Sequence, residues 1–528
     1  MPITSNHLAA RRYRRALTLS RRTGRDADEL FEELSEADRL RALDGIDRRS
    51  FLRTGAMVGA GVIALGAHPA RASAATPRVV VVGAGFAGLT AAWKIHAARG
   101  WPVQVYEART RVGGRVHTIR GLAAGQYTEA GGSGINSNQA EIQALCKQLG
   151  LWPLIDTWLR YPGGAERYVF DGSRRSWASI KPAVAAVADA SWKAWVAIGR
   201  QIPTLGHHNA AAATYDAMTV SDFLQTEAGV SPTSIGGQYL ASLFGGEYGG
   251  RATDASALHQ ILEEGNFWGS GYDERWAVPG GNDRLARALE TKLPSGSVHL
   301  GRALLAVRRR ADGSYRLTFA ARGAGTTDVI ADRVVLAIPP TTLRDVDLTG
   351  AHLPAATRRW IDQQAMGSGV KFNLQFASRP WKADGTNGDA VTDLIPAEVW
   401  QASYQAADPA LLLFLNNRSY PSLAPHGTVP GALLQQTLAD LDAIWPGCSA
   451  AAIHGQAYVD NWPRDPWVKG TYSFYPPGGF TGFGDVQRRR VGRISFAGEH
   501  TAPYADRGTM GGAVASGLRA AREVLGLA

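Results

Sequence analysis

Three glycines and one glutamate near residue 80 have the spacing of a dinucleotide-binding turn. The apolar run 79–82 enters Gly83-x-Gly85-x-x-Gly88, an amphipathic helix pattern follows, and a second strand pattern ends at Glu107. Gly83 permits a tight turn, Gly85 lets the backbone approach a pyrophosphate, and Gly88 lets helix and strand pack closely. The helix N-terminus would face the negative charge, and the Glu107 carboxylate could accept hydrogen bonds from a ribose diol. This combination predicts a dinucleotide site; the alternative is a glycine-rich turn in an unrelated α/β domain.

The residues that follow Glu107 indicate which dinucleotide is bound. The stretch EARTRVGGRVHTIR (107–120) contains Gly113, Gly114 and Arg115 in succession. Two glycines expose backbone N–H groups and Arg115 adds a positive charge, so the second phosphate of FAD would have a partner. A nicotinamide dehydrogenase does not need this second cradle. The stretch resembles the double-glycine motif that follows the second strand in flavin amine oxidases and their relatives, and we therefore expect FAD.

The carboxyl-terminal segment RISFAGEHTAPYADRGTMGGAVASGLRAAREVL (493–525) extends this resemblance. In the group of flavin monoamine oxidases, polyamine oxidases and histone demethylases, the residue that matches Glu499 reaches the ribityl or phosphate region. The residues that match Thr509 and Met510 contact the flavin through their backbone, where the N-terminus of a final helix faces the ring. Segments far apart in the chain would thus build one FAD site, which predicts a discontinuous FAD domain.

The resemblance covers most of the chain after residue 75. It continues through RWAVPGGNDRLARALE (275–290), LLAVRRR (304–310) and DRVVLAIPP (332–340), and it puts Val307 at the adenine-contact position. The cofactor-binding residues that it implies are Gly83, Gly85, Ala87, Gly88, Glu107, Arg109, Gly114, Arg115, Gly132, Ser133, Val307, Glu499, Thr509 and Met510.

The architecture implied by the resemblance is a two-domain α/β flavoprotein. A glutathione-reductase-like FAD domain is expected over residues 75–145, 275–340 and 456–528. An inserted α+β substrate domain is expected over residues 146–274 and 341–455.

Two further stretches resemble the catalytic parts of this family. AMGSGVKFNLQFASRPW (365–381) resembles the strand that presents a lysine to the flavin; burial would lower the pKa of Lys371 and favour a role through a water at flavin N5. The alternative is a strand-end lysine that reaches solvent. NWPRDPWVKGTYSFYPPGG (461–479) resembles the segment that places aromatic residues beside the flavin. Tyr472 matches one wall of the aromatic cage, and Trp467 is either a flanking substrate residue or simple core.

Departures from the family pattern carry their own predictions. Threonine stands at position 471, where enzymes that attach flavin covalently have a cysteine, so FAD should be bound non-covalently. Thr509 stands where monoamine oxidases usually have the second aromatic cage wall, which favours the polyamine-oxidase and demethylase branches or a wider pocket. The segment YTEAGGSGINSNQ (127–139) lacks the arginine that holds the carboxylate in amino-acid oxidases.

The predicted function is oxidative deamination of a primary or secondary amine, with hydride transfer to flavin N5 and reoxidation by dioxygen to hydrogen peroxide. Three alternatives remain open. An L-amino-acid oxidase would need a carboxylate-binding arginine from elsewhere, for which Arg251 is the candidate. A carbon–carbon desaturase would need neither Tyr472 nor a neutral amine. A flavoprotein that passes electrons to a partner would react slowly with oxygen.

The stretch RRSFLRTGAMVGAGVIALGA (48–67) is typical of an export signal. Its uncharged part is shorter than the roughly 20 residues that a membrane-spanning helix needs, which argues against a stable membrane anchor. Arg48-Arg49 resembles the twin-arginine address, and small-x-small patterns at 70–74 suit a signal peptidase. We therefore expect residues 1–74 to be a cleaved leader, the export machinery to be a partner, and the mature protein to be periplasmic or extracellular. The long extension 1–47 has no explanation in these terms.

Composition excludes several other classes of protein. The formal net charge is +10, and the 13 Lys+Arg and 9 Asp+Glu of residues 1–74 account for +4 of it. The remaining basic residues are scattered and are not interleaved with aromatic residues, so nucleic-acid binding is not expected. Two cysteines are too few for a disulfide framework, and metal-ligand spacing is absent.

Overall fold

A computed structural model describes residues 8–43, 76–157, 165–263, 272–321, 323, 325–403, 405 and 408–527. The α-helices are α1 Leu8–Thr23, α2 Ala27–Leu43, α3 Phe86–Arg99, α4 Ala140–Gln148, α5 Trp177–Ala197, α6 Ala210–Ala217, α7 Val220–Thr226, α8 Ile235–Tyr248, α9 Leu258–Leu262, α10 Arg284–Glu290, α11 Pro340–Leu343, α12 Ala355–Gln363, α13 Gly431–Ile444, α14 Cys448–Ala451, α15 Gly479–Phe483 and α16 Met510–Leu525.

The strands are β1 Val79–Val82, β2 Val103–Glu107, β3 Thr118–Arg120, β4 Tyr127–Glu129, β5 Ile155–Asp156, β6 Ala165–Phe170, β7 Ser173–Arg175, β8 Trp276–Ala277, β9 Val298–Leu300, β10 Arg302–Arg309, β11 Tyr315–Ala321, β12 Thr326–Ala331, β13 Arg333–Leu336, β14 Ala365–Met366, β15 Val370–Phe376, β16 Thr386–Thr392, β17 Glu398–Gln401, β18 Ala410–Asn416, β19 His426–Thr428, β20 Ala452–Asn461, β21 Ser473–Phe474 and β22 Ile494–Phe496.

A five-stranded parallel sheet in the order β22-β13-β1-β2-β9 forms the centre of the first domain. Its middle strand, β1, consists of four valines because side chains on both faces are buried. Val79 and Val81 pack in one core with α3 and α16, and Val80 and Val82 pack in another core with the antiparallel strands β10 and β11. Helix α16 packs against α3, so the carboxyl-terminal end of the chain completes the domain that β1 begins.

An eight-stranded mixed sheet in the order β19-β20-β15-β18-β17-β16-β6-β7 forms the second domain. All of β15 and β18 is buried, and these two strands pair antiparallel over seven residues. Strand β20 pairs with β15 up to Asn461. The domain boundary predicted between residues 455 and 456 therefore falls inside a strand and moves to about residue 461.

Together the two sheets confirm the predicted fold class, an α/β flavoprotein fold with a discontinuous first domain and an inserted α+β second domain. The insertion arises because β1, β13 and β22 lie side by side although residues 146–274 and 341–455 separate them along the chain.

The predicted leader contains two helices that are packed on the rest of the molecule. Helix α1 lies against α5, and its Ala10, Tyr13, Arg14 and Ala16 side chains are buried. A leader that serves only as an address would not need such burial. Arg48, Arg49 and the predicted cleavage patterns lie outside the described residues, so cleavage stays a prediction. Among the described helices, none combines the length and the apolar character that a membrane crossing requires.

Candidate active site

A deep cavity lies at the carboxyl ends of the parallel strands, where the two domains meet. Val82, Ala337 and Gly498 line it from the ends of β1, β13 and β22, and Lys371 and Leu415 line it from β15 and β18. In open α/β sheets this edge is the usual ligand site. The space between protein atoms is about 1730 Å³ with its open mouth, which is enough for a dinucleotide and a small substrate.

The glycine turn has the geometry that its sequence predicts. Gly83 has a φ of +99°, and a Cβ there would lie 2.6 Å from the carbonyl oxygen of Ala337. A Cβ at Gly88 would overlap the carbonyl oxygen of Gly83, so helix α3 could not pack this closely with any other residue. A Cβ at Gly85 would meet nothing within 4 Å. The backbone at Gly85 is thus left bare toward the cavity, next to the start of α3, where Ala87 also lines the wall.

Glu107 lies at the end of β2, is buried and lines the cavity. Its Oε2 accepts a hydrogen bond from the Ala84 N–H at 2.7 Å, and its Oε1 accepts one from the Arg109 N–H at 2.9 Å. The carboxylate therefore fixes the glycine turn, and each oxygen keeps a free lone pair for a ligand.

The second predicted cradle brings Arg115 and Glu499 together. Arg115 donates hydrogen bonds to Glu499 at 2.7 Å and to the Thr471 carbonyl at 2.5 Å. Glu499 also accepts hydrogen bonds from Ser473 and from the Gly508 N–H. Burial would raise the pKa of Glu499, but the charge of Arg115 and these hydrogen bonds outweigh it and hold the pKa at about 2. Glu499 is therefore an anion that orients the cradle.

Arg109 belongs to a network that the sequence did not reveal. Its guanidinium donates two hydrogen bonds of 2.7 Å to Asp465, a bidentate arrangement. His426 lies between Asp460 and Asp465, with 2.8 Å from a ring nitrogen to each carboxylate. Burial opposes the charged form of this imidazole, yet the two carboxylates raise its pKa to about 8. In the sequence, the one hint of this network is a carboxylate, Asp465, inside an aromatic segment.

Lys371 is 5% exposed and points from β15 into the cavity. Its ammonium donates hydrogen bonds to the Gly131 carbonyl at 2.7 Å and to Ser133 Oγ at 3.3 Å. Burial lowers the pKa of Lys371, and the carboxylates of Glu129, Glu274 and Asp460 oppose this shift. The alternative of a solvent-exposed strand-end lysine is therefore wrong, because the residue is buried on a cavity wall.

Two carboxylates near Lys371 were missed by the sequence reasoning. Glu129 is buried, and it accepts hydrogen bonds from Thr118 and from the Asn282 N–H. Glu274 is half-buried, lines the cavity and has a φ of +44°, which is unusual for a residue with a side chain. Burial raises the pKa of Glu274 to about 8, while the positive charges of Lys371 and Arg11 lower it. Both glutamates border motifs that the sequence did identify, but neither has a diagnostic spacing.

The two predicted residues of the aromatic segment line the cavity, and they differ in their surroundings. Tyr472 lines the cavity, and its hydroxyl donates a hydrogen bond to the Gly246 carbonyl at 2.5 Å. Trp467 also lines the cavity and is 40% exposed, so the simple-core interpretation of Trp467 is wrong. The Thr509 hydroxyl caps α16 by accepting from the Gly512 N–H, and it also accepts from Gln139. Thr509 still borders the cavity.

Of the remaining predicted cofactor residues, most line the cavity and Val307 does not. Gly114, Gly132, Ser133 and Met510 line the cavity. Val307 is fully buried and is not among the lining residues, because the part of β10 that reaches the cavity is its beginning, Arg302 to Leu304. The adenine contact predicted at Val307 therefore has no support from this placement.

The cavity residues fit FAD. Hydrogen-bond donors for two phosphates are present in the cavity wall. They are the backbone at Gly85 and Gly114, which has no side chain to block it, the N-terminus of a helix, and the Arg115 guanidinium. Cys146 and Cys448 are both buried free thiols, and neither lines the cavity among the described residues. Among the residues that the structure describes, no group of His, Cys, Asp and Glu could hold a metal ion.

Comparison with known proteins shows the family of the chain. The sequence profile of the family described as "Flavin containing amine oxidoreductase" matches residues 86–525. The chain therefore belongs to the flavin-containing amine oxidoreductase family. It is an FAD-dependent amine oxidase, an oxidoreductase that acts on CH–NH or CH–NH2 groups.

Several proteins are similar along most of the chain. A Mycobacterium tuberculosis protein, provisionally described as the flavin-containing monoamine oxidase AofH, is 30% identical over 486 residues, which cover 86% of this chain and 97% of the relative. Amine oxidase [flavin-containing] A of Bos taurus is 29% identical, with 85% and 84% covered. An L-amino-acid oxidase of Siganus canaliculatus is 28% identical, with 84% and 85% covered.

Solved structures share the fold. Cyclohexylamine oxidase from Brevibacterium oxydans has a TM-score of 0.72 at 19% identity, with 85% of this chain and 98% of that chain covered. A putrescine oxidase structure with bound putrescine has a TM-score of 0.69 at 22% identity, with 85% and 99% covered.

Proposed function

We propose that this protein oxidises a primary or secondary amine by hydride transfer to the N5 atom of non-covalently bound FAD, with dioxygen as the final electron acceptor. The observation that carries the proposal is the position of Lys371. Its ammonium lies in the same cavity as the glycine turn, beside the Gly131 carbonyl and Ser133. A buried amine at such a position is suited to hold a water rather than to reach solvent.

When bound, FAD would supply the redox chemistry: removal of hydride from the carbon next to the amine nitrogen and transfer of two electrons to dioxygen, with hydrogen peroxide as the product. The chain positions the reactants. Tyr472 restricts the amine from one side with its ring, which the hydrogen bond to Gly246 holds in place. Lys371 holds a water by hydrogen bonding, and Glu274 gives the cavity a carboxylate that can accept a proton or a hydrogen bond from the amine. The imine product is released to hydrolysis.

An amine fits the cavity better than an amino acid. Arg251, the candidate carboxylate-binding residue of the amino-acid oxidase alternative, has a side chain that is 69% exposed and pairs with Asp254 at the surface. Arg251 does not line the cavity.

The test is an aerobic peroxide assay of the purified yellow protein with monoamines, diamines, polyamines and amino acids. We expect peroxide and an aldehyde or ketone from amines, and little turnover of amino acids. Preferential oxidation of amino acids would favour the L-amino-acid oxidase alternative. A flavin that amines reduce but that oxygen reoxidises only slowly would indicate a partner as electron acceptor.

The non-covalent attachment of FAD can be tested by denaturing the protein. Because position 471 is threonine and both cysteines are buried away from the cavity, acid or heat denaturation should release FAD into the supernatant. The measurement is the absorbance of supernatant and pellet after centrifugation. A yellow pellet under a colourless supernatant would mean covalent attachment.

Export is the second part of the proposal. Arg48→Lys combined with Arg49→Lys should leave the protein in the cytoplasm, folded and loaded with FAD, because the twin-arginine address is read by a receptor. Cell fractionation and flavin absorbance measure location and loading. Undiminished export of the double variant would remove the twin-arginine interpretation.

A further inference from the structure

The helical pair 8–43, formed by α1 and α2, is docked on α5. Tyr13 of α1 and Phe31 of α2 both pack on Trp177 of α5, with ring centroids 6.2 Å away in each case. Arg21, near the end of α1, forms an ion pair with Asp189 of α5, with 2.6 Å between nitrogen and oxygen. These contacts fix the helical pair along α5.

The other side of α1 reaches the segment that carries Glu274. Arg14 is 1% exposed and pairs with Glu263 at 3.5 Å. Arg11 donates a hydrogen bond to the backbone carbonyl of Tyr272, two residues before Glu274. From the inner side, Asn136 accepts hydrogen bonds from the backbone of Asp273 and Glu274. The cavity wall at 272–274 is therefore held from outside by the helical pair and from inside by the FAD domain.

Helix α1 also acts on the wall electrostatically. Burial raises the pKa of Glu274, whereas the positive charge of Arg11 lowers it and favours the ionised carboxylate. The docked helix therefore influences both the backbone of the wall and the charge state of Glu274. The five-stranded sheet of the first domain forms without α1. Its middle strand, β1, begins at Val79 and pairs with β13 on one side and β2 on the other.

We propose that the helical pair 8–43 is a removable pro-segment that braces the cavity wall at 272–274, and that cutting the leader frees this wall and changes amine binding. The cut hydrolyses one peptide bond and needs only water and the export peptidase. The proposal rests on the proposed amine oxidation and on the predicted cleavage of a leader that spans residues 1–74. It gives the long extension ahead of Arg48-Arg49 a role, because a route for folded cargo can carry the docked pair.

The experiment uses the full chain with Arg48→Lys and Arg49→Lys, loaded with FAD, and a recognition sequence for a specific protease inserted between residues 43 and 76. After the cut, size-exclusion chromatography with mass spectrometry shows whether 8–43 leaves. Hydrogen exchange reports on residues 272–277, and steady-state kinetics give KM and kcat for the best amine of the peroxide assay. We expect release of the pair, faster exchange at 272–277 and a KM changed by about fivefold or more.

A pair of point variants in the uncut chain provides the matched comparison. Arg14→Ala removes the buried ion pair and should loosen the helical pair, shown by faster exchange at 272–277 and a KM that shifts in the same direction as after the cut. Arg15→Ala changes the neighbouring exposed arginine and should behave like the parent chain.

Three results would overturn the pro-segment. The helical pair could remain bound after the cut, it could leave with exchange at 272–277 and KM unchanged, or the cut protein could precipitate or lose flavin. The last result would make the helices part of the permanent core. If neither form oxidises any amine, the proposed function fails, whereas release and hydrogen exchange still decide on the pro-segment because they need no turnover.

Discussion

Replacing Lys371 by methionine is expected to slow amine oxidation by about a hundredfold while FAD and the fold are retained, since removing one preorganised electrostatic group commonly has an effect of this size. Methionine is similar in length and apolar, so it suits the buried strand β15 but cannot hold a water by hydrogen bonding. The loss falls on flavin reduction if that water transfers protons. It falls on reoxidation if the positive charge stabilises developing superoxide. Anaerobic stopped-flow reduction, followed by mixing with oxygen, separates the two steps.

The pH dependence gives a second measure of the same residue. Burial lowers the pKa of Lys371, so the side chain loses its proton at a lower pH than an ordinary lysine does. If the charge assists the reaction with oxygen, the reoxidation rate falls as pH rises through this pKa, and the step is absent from Lys371→Met. Lys382→Met, at an exposed lysine, is the control and should match the parent. Turnover of Lys371→Met within about twofold of the parent, roughly 0.4 kcal/mol, would contradict the catalytic assignment.

Glu107→Ala is expected to purify largely as apoprotein. The substitution removes the predicted ribose acceptor and also leaves the N–H groups of Ala84 and Arg109 without their partner. Loss of charge-assisted hydrogen bonds of this kind weakens binding by about 1–3 kcal/mol. The ratio of flavin to protein absorbance measures occupancy, and full occupancy would mean that the acid does not contact the ribose.

A comparison of apoproteins separates the two roles of Glu107. If the carboxylate mainly holds the glycine turn, the Glu107→Ala apoprotein should unfold at a lower temperature than the parent apoprotein. If ribose binding dominates, the two should unfold together while their affinities for added FAD differ. Glu107→Gln keeps one acceptor oxygen, so its flavin occupancy should lie between that of the parent protein and that of Glu107→Ala.

The sequence predicts those parts of the site that depend on local geometry. The turn at Gly83 to Gly88 and its acid at Glu107 lie within one strand–helix–strand unit, so their spacing alone requires the arrangement that the structure has. Lys371 and Tyr472 were found through short stretches similar to the family, and both do line the cavity.

The parts that escaped prediction are held by contacts between residues far apart in the chain. Arg109 and Asp465 are separated by 356 positions, and no spacing rule relates them. Glu129 and Glu274 are ordinary glutamates until the fold brings them near Lys371. In helix α1, Ala10, Tyr13 and Leu17 follow helical spacing, but the prediction of a leader rests on Arg48-Arg49 and the apolar run and leaves residues 1–47 unexplained.

Strand β20 makes the two domains mechanically continuous. It pairs with β15, with Asp460 opposite Lys371, and it runs directly into the turn that carries Asp465, the partner of Arg109. His426 of the second domain contacts Asp465 beyond the end of this strand, so a shear of one domain against the other would have to break that contact. The two domains are thus coupled at one crossing of the chain, beside two residues of the cavity wall, Lys371 and Arg109.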